Sequence, residues 1–89
     1  ICLFSIFIYC PLAHWTWHPN GIFRQWGVLD FAGGTVVHMS AGIAALAGAI
    51  VLGRRRVHME QRAHTPSTIP YVILGTGMLW FGWFGFNAG

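Results

Sequence analysis

Three long apolar stretches without formal charge restrict the folds open to this chain. They cover residues 1–17, 31–52 and 69–89, and none of them contains Asp, Glu, Lys or Arg. A helix needs roughly 20 apolar residues to cross the hydrocarbon of a bilayer. The sequence therefore predicts an all-α fold, a polytopic transmembrane helix bundle with membrane segments at approximately 1–17, 31–52 and 69–89.

The composition excludes several other classes of protein. Charged residues make up 8% of the chain, whereas ordinary soluble domains have about 25%. The net charge of +3 is too small for a nucleic-acid interface, and no nucleic acid is expected as a partner. Because the sequence starts at Ile1 and stops at Gly89 inside an apolar run, we expect it to be an internal segment of a longer protein.

The basic residues predict how the segments are oriented. Residues 53–68 contain four of the five Lys and Arg residues, and positively charged loops face the cytoplasm. Residues 53–68 are thus expected to form a cytoplasmic loop and residues 18–30 an outer loop. In that topology Trp17, Asp30 and the end of the third segment, around Phe84 and Phe86, lie at the same outer mouth.

His38 is a histidine placed near the middle of a predicted span. It follows Asp30 by eight residues in the sequence, which on a helix places it about 12 Å below the outer end. An ionisable side chain at that depth normally faces protein or a water-filled path. It is a candidate for a transport pathway, and the alternative is a structural hydrogen bond between helices.

Asp30 precedes the second apolar segment, where a helix begins. A carboxylate there accepts hydrogen bonds from free backbone N–H groups and complements the positive end of the helix. Position alone favours this capping role over direct contact with a ligand. The two roles are compatible, since a carboxylate at a pore mouth also attracts cations.

Aromatic residues at the outer mouth offer a second means of binding a cation. Trp15, Trp17, Phe84 and Phe86 lie near the predicted membrane surface, where aromatic side chains commonly serve only as interfacial anchors. Their faces also attract cations. Together with Asp30 and His38 they describe a pore for a small cation or its neutral base.

Another class of function would be haem binding through His14 and His38 as axial ligands. The two residues are predicted at different depths, which argues against such a site. His58 and His64 match no metal-ligand spacing, and no motif of a hydrolase or nucleotide-binding enzyme is present. We expect no enzymatic activity, no metal and no cofactor.

Three motifs resemble those of the ammonium transporter family, which comprises ammonium transporters, methylammonium permeases and Rhesus proteins. They are AHWTW at 13–17, LDFAGGTVVHMSAGIAAL at 29–46 and LWFGWFGFNAG at 79–89. The resemblance is closer to the bacterial and archaeal members than to the Rhesus branch. It implies a fold of about eleven membrane helices in two inverted halves, of which this chain supplies three, and assembly as a homotrimer in the plasma or inner membrane.

The same resemblance implies roles for four residues. Trp17 is similar to the tryptophan of the outer ammonium recruitment site, and Asp30 to the aspartate that orders the backbone of that site. Phe86 resembles one of the stacked phenylalanines that close the outer pore, and His38 the first of two pore histidines. The second histidine, the other gate phenylalanine and a serine expected after Gly89 would lie outside this segment.

The implied function is recruitment of ammonium, its deprotonation and conduction of ammonia through a hydrophobic pore lined by histidines. Methylammonium is the expected analogue, membrane lipids are expected to surround the helices, and a PII-type regulatory protein is the implied cytoplasmic partner. An ammonium sensor built on the same helices is the alternative within the family. A fused kinase-like or cyclase-like domain would distinguish that sensor from a transporter.

Overall fold

The computed structural model describes residues 1–89, and all its regular structure is helical. The chain divides into two compact units, Ile1–Val51 and Leu52–Gly89. The helices are α1 at 2–17 (Cys2–Phe4, a π-helical stretch Ser5–Tyr9, and Cys10–Trp17), α2 Ile22–Gln25, α3 Gly34–Leu52 with a π-helical stretch Gly34–Met39, α4 Arg56–Met59, and α5 Ile69–Ala88.

Two of these helices are long and apolar enough to cross a membrane. They are α3, with 19 residues, and α5, with 20 residues. Within this chain, 6% of the most apolar stretch of α3 and none of that of α5 is buried, as expected of helices that face lipid or further helices. The first predicted span at 1–17 is helical from residue 2 but shorter, and its crossing of the membrane stays a prediction.

A proline explains the irregular geometry of α1. Pro11 lies in the first turn of the piece Cys10–Trp17, two residues after the π-helical stretch ends at Tyr9. Within a helix, a proline ring collides with the carbonyl four residues earlier, here that of Phe7. A locally widened turn relieves that collision without ending the helix.

α1 and α3 pack together beside the connection formed by residues 18–33, which closes the first unit. Pro19 and Asn20 form a turn in which the Gly21 N–H bonds the carbonyl of His18 at 2.8 Å. Gly21 is buried against the backbone carbonyls of His14 and Trp15, and a Cβ atom would collide with both. The chain can therefore reverse this closely only at a glycine.

In the second unit, the segment after α3 turns sharply before α5 begins. Gly53 adopts a left-handed φ of +72°, which is typical of the residue that follows a helix. Pro70 lies in the first turn of α5, where its missing N–H costs no hydrogen bond. All residues of α5 are exposed within this unit, so its apolar surface requires lipid or further helices as its environment.

Candidate functional site

Asp30 organises the beginning of α3 through its carboxylate. Oδ1 accepts hydrogen bonds from the N–H groups of Gly33 and Gly34 at 2.7 and 2.8 Å. Oδ2 accepts those of Thr35 and Val36 at 2.9 and 3.2 Å. These are the amides that the helix itself leaves unpaired at its start. The capping role predicted for Asp30 is confirmed.

The same hydrogen bonds determine the charge state of Asp30. Partial burial alone would raise the pKa of the carboxyl group. The backbone hydrogen bonds from Thr35, Val36, Gly33 and Gly34 outweigh burial and hold the pKa below its usual 3.8. At neutral pH the group is a carboxylate, and its two oxygens accept four N–H groups, which uses the bonding positions a carboxylate has.

A left-handed glycine makes this arrangement possible. Gly33 has a φ of +105°, a conformation that other residues rarely adopt. It turns the backbone so that consecutive amides point towards Asp30. A Cβ atom at this position would lie 2.6 Å from Cγ2 of Val37 and 3.5 Å from Cζ2 of Trp17. As a result α3 begins at Gly34, later than the start of the apolar stretch at Phe31.

Trp17 is tied to the same turn from the neighbouring helix. Its indole Nε1–H donates a hydrogen bond of 2.6 Å to the backbone carbonyl of Asp30. The Trp17 side chain remains 38% exposed. Trp17 and Asp30 are thirteen positions apart in sequence, and the structure brings them together. We call Trp17, Asp30 and Gly33 the tryptophan–aspartate clamp.

Other aromatic groups lie at the end of α1 and in the connection between α1 and α3. Phe23 packs edge-on against Trp15, with ring centroids 5.8 Å apart, and lies 5.6 Å from Trp26. His14 and His18 stack with ring centroids 4.5 Å apart. His14 lies near the C-terminal end of α1, whereas His38 lies within α3.

His38 occupies the π-helical stretch at the beginning of α3. The Gly33 carbonyl accepts the N–H of Val37 at 2.8 Å and that of His38 at 3.2 Å. Two residues further, the Ser40 hydroxyl donates to the carbonyls of Val36 and Val37 at 2.5 and 3.1 Å. Widened turns of this kind recur at functional sites, and the His38 side chain is exposed on the surface of its unit.

Phe86 belongs to the second unit, near the end of α5. Its ring stacks on that of Trp83, with centroids 4.7 Å apart and planes inclined by 18°. Both rings are roughly two-fifths exposed. Neighbouring side chains on one face of the helix thus hold Phe86 in place.

The sequence alone did not indicate the importance of Gly33, Ser40 or Thr16. The signal available for Gly33 was the pair of glycines that follows Asp30, since a glycine after a capping residue marks an unusual turn. Thr16 offered no signal. It is 1% exposed, and its hydroxyl is buried without a hydrogen-bond partner.

Comparisons with known proteins agree on one family. The sequence profile of the Ammonium Transporter Family matches residues 1–89. The chain is 56% identical to an ammonium transporter of Aquifex aeolicus, over 98% of this chain and 19% of the relative. It is 49% identical to ammonium transporter Amt1 of Archaeoglobus fulgidus, over 98% of this chain and 22% of the relative.

A fungal relative is about as similar. The chain is 52% identical to ammonium transporter 1 of Schizosaccharomyces pombe, over 98% of this chain and 17% of the relative. The chain therefore spans about a fifth of the length of these relatives. No solved structure is significantly similar to it.

Proposed function

The chain belongs to the ammonium transporter family, and on that premise we propose that it is part of a protein that moves ammonium across a membrane. The proposed pathway begins with capture of ammonium at an outer aromatic site. The ion then loses its proton, and ammonia passes through a hydrophobic pore lined by histidines. This order follows from the cost of moving an ion into an apolar pore, which a neutral molecule largely avoids.

The observation that carries this proposal is the tryptophan–aspartate clamp. The hydrogen bond from the indole N–H to the Asp30 carbonyl fixes the orientation of the Trp17 ring, and an exposed tryptophan face attracts a cation. The carboxylate is fully used by backbone amides. Asp30 therefore acts on ammonium through its charge and through the turn it holds, and Trp17 makes the contact.

His38 is the proposed pore residue. A neutral imidazole offers one donor and one acceptor nitrogen, so it can hydrogen-bond ammonia or receive a proton from ammonium. The π-helical stretch displaces His38 from the regular helical register. We expect this displacement to direct the side chain towards the pathway in the full-length protein.

Phe86 is the proposed gate at the outer end. An aromatic ring can close a narrow path for hydrated ions and move aside for a small molecule. Stacking on Trp83 gives the ring a defined resting position, from which a small rotation would open the path.

The proposed setting is the plasma or inner membrane, crossed several times by a homotrimer. Within it, residues 1–17, 31–52 and 69–89 would be membrane segments, with 18–30 outside and 53–68 in the cytoplasm. A PII-type regulatory protein is the proposed partner at that cytoplasmic face. Methylammonium is the proposed substrate analogue.

Uptake of radiolabelled methylammonium tests the proposal. The full-length protein is expressed in yeast cells that lack their own ammonium permeases. We expect saturable uptake that ammonium competes. His38→Ala should reduce the rate by at least a hundredfold if the imidazole assists proton transfer. Trp17→Leu should raise the half-saturating concentration between about twofold and thirtyfold, the range of a cation–π contact.

Matched controls separate these effects from general damage. His14→Ala and Trp26→Leu remove the same side-chain types from exposed positions outside the proposed pathway, and both should transport normally. Unchanged uptake in His38→Ala would exclude His38 from the mechanism. Membrane expression without any uptake by the wild type would contradict transport and favour the sensor.

A further inference from the structure

A positively charged pocket lies on the segment that follows α3. Arg54, Arg55, His58 and His64 line it, and its volume is about 330 Å³. The rings of His58 and His64 approach each other, with centroids 5.7 Å apart. We call these four residues the arginine pocket. None of its lining residues carries a carboxylate.

The arginines of this pocket have no anionic partner in the chain. Asp30 and Glu60 are the two acidic residues of the sequence. Glu60 forms salt bridges with Arg56, at 3.3 Å, and with Arg62. The Asp30 carboxylate accepts backbone amides. The guanidinium groups of Arg54 and Arg55 therefore have no carboxylate partner among residues 1–89 and need a counter-ion from another molecule.

The position of the pocket along the chain indicates which anion this would be. α3 ends at Leu52 after 19 residues, about the length that crosses the hydrocarbon. Gly53, with a φ of +72°, turns the chain, and Arg54 and Arg55 follow directly. Arginine side chains at the end of a span lie at the depth of the lipid headgroups, where phosphate groups are concentrated.

We propose that the arginine pocket binds the phosphate of an anionic phospholipid in the cytoplasmic leaflet. A guanidinium group donates two parallel hydrogen bonds to phosphate oxygens, and the imidazole N–H groups of His58 and His64 supply further donors. The unbalanced positive charge favours a lipid with net negative charge over a zwitterionic one. The site requires α3 to span the membrane and is independent of which molecule the protein transports.

Hydrogen exchange of the full-length protein in nanodiscs tests this site directly. The probe is phosphatidylglycerol added at increasing fractions to phosphatidylcholine. We expect it to slow exchange of the backbone amides at 54–64. In the variant Arg54→Gln/Arg55→Gln, the apparent affinity for phosphatidylglycerol should fall about thirtyfold, from roughly fivefold for each basic residue at a membrane surface. Half protection should then not be reached wherever the wild type needs more than about 3% of this lipid. The single variant Arg55→Gln should lower the apparent affinity about fivefold. It keeps the proposal testable if the double variant does not reach the membrane.

A charge-matched control distinguishes a site from diffuse attraction. Arg56→Gln/Arg62→Gln also removes two positive charges from residues 53–68 but leaves the pocket lining intact. Glu60 already pairs with both of these arginines, so the half-protecting fraction should stay within about threefold of wild type, less than the loss of one pocket arginine. Equal loss in both double variants would overturn the proposal. So would equal protection by pure phosphatidylcholine, or protection by inorganic phosphate alone, which would indicate a soluble anion instead of a lipid.

Discussion

The substitution Asp30→Asn tests how much the carboxylate contributes to the beginning of α3. Asparagine keeps one oxygen, which can still accept the amides of Gly33 and Gly34. It places an NH2 group against the N–H groups of Thr35 and Val36. In the wild type these groups donate to Oδ2 of Asp30 at 2.9 and 3.2 Å. Two hydrogen bonds are lost, at about 1 kcal/mol each. The expected cost is about 2 kcal/mol, within the usual range for a helix cap.

Hydrogen exchange at residues 33–36 of the full-length protein measures this cost where it arises. A loss of about 2 kcal/mol in local stability corresponds to about thirtyfold faster exchange of these amides. Glu60→Gln is the matched control, because it neutralises the other acidic residue without touching this turn, and exchange at 33–36 should not change. Equal protection of these amides in wild type and Asp30→Asn would refute the assignment of the carboxylate as the group that holds the turn.

The pH dependence of the same experiment has a defined sign. Because folding lowers the pKa of Asp30 below 3.8, the unfolded turn binds more protons than the folded one between the two pKa values. The stabilisation is complete above the unfolded value and is lost as the pH falls through the folded value. The difference in protection between wild type and Asp30→Asn should be constant from about pH 8 to pH 5, after correction for intrinsic rates, and should diminish only below 3.8.

Two further substitutions test the packing around the clamp. Gly33→Ala should cost at least about 2 kcal/mol at residues 33–36, because it adds a contact of 2.6 Å to Val37 at a φ of +105°. In the control Gly34→Ala, the new Cβ approaches nothing closer than 4.0 Å, and equal damage there would contradict the steric argument. Thr16→Val should leave the free energy of unfolding of the full-length protein unchanged or raise it by about 1 kcal/mol, because it removes a buried hydroxyl without a partner. Thermal unfolding of the two proteins measures this difference. A clear loss of stability would show that the hydroxyl is bonded, for example to an ordered water.

The helices themselves could be predicted from the sequence, because their signals are local. Uncharged apolar stretches of sufficient length form helices in a membrane, since every backbone group must then be bonded within the segment. α3 and α5 follow this rule, and Pro70 marks the start of α5 as expected. The cap by Asp30 was predictable for the same reason, since a carboxylate bonds amides only a few residues ahead of it.

Other features depend on groups that are distant in sequence and required the tertiary structure. The hydrogen bond from Trp17 to the Asp30 carbonyl exists only because the connection between the two helices returns α3 to the end of α1. That return depends on Gly21, whose missing side chain lets two backbones touch. The burial of Thr16 likewise results from packing between segments, so its own neighbours in sequence gave no indication of it.

The sequence by itself determined the class of structure, the helical segments, the cap and the family, because these depend on composition and on patterns read within a few residues. The tertiary structure decided where α3 begins, how the Trp17 ring is held and which arginines lack a partner. The physical reason is that folding brings many groups within reach of one another, and these groups compete. The backbone turn at Gly33 and the ion pair between Arg56 and Glu60 are outcomes of that competition. That competition is settled only in three dimensions.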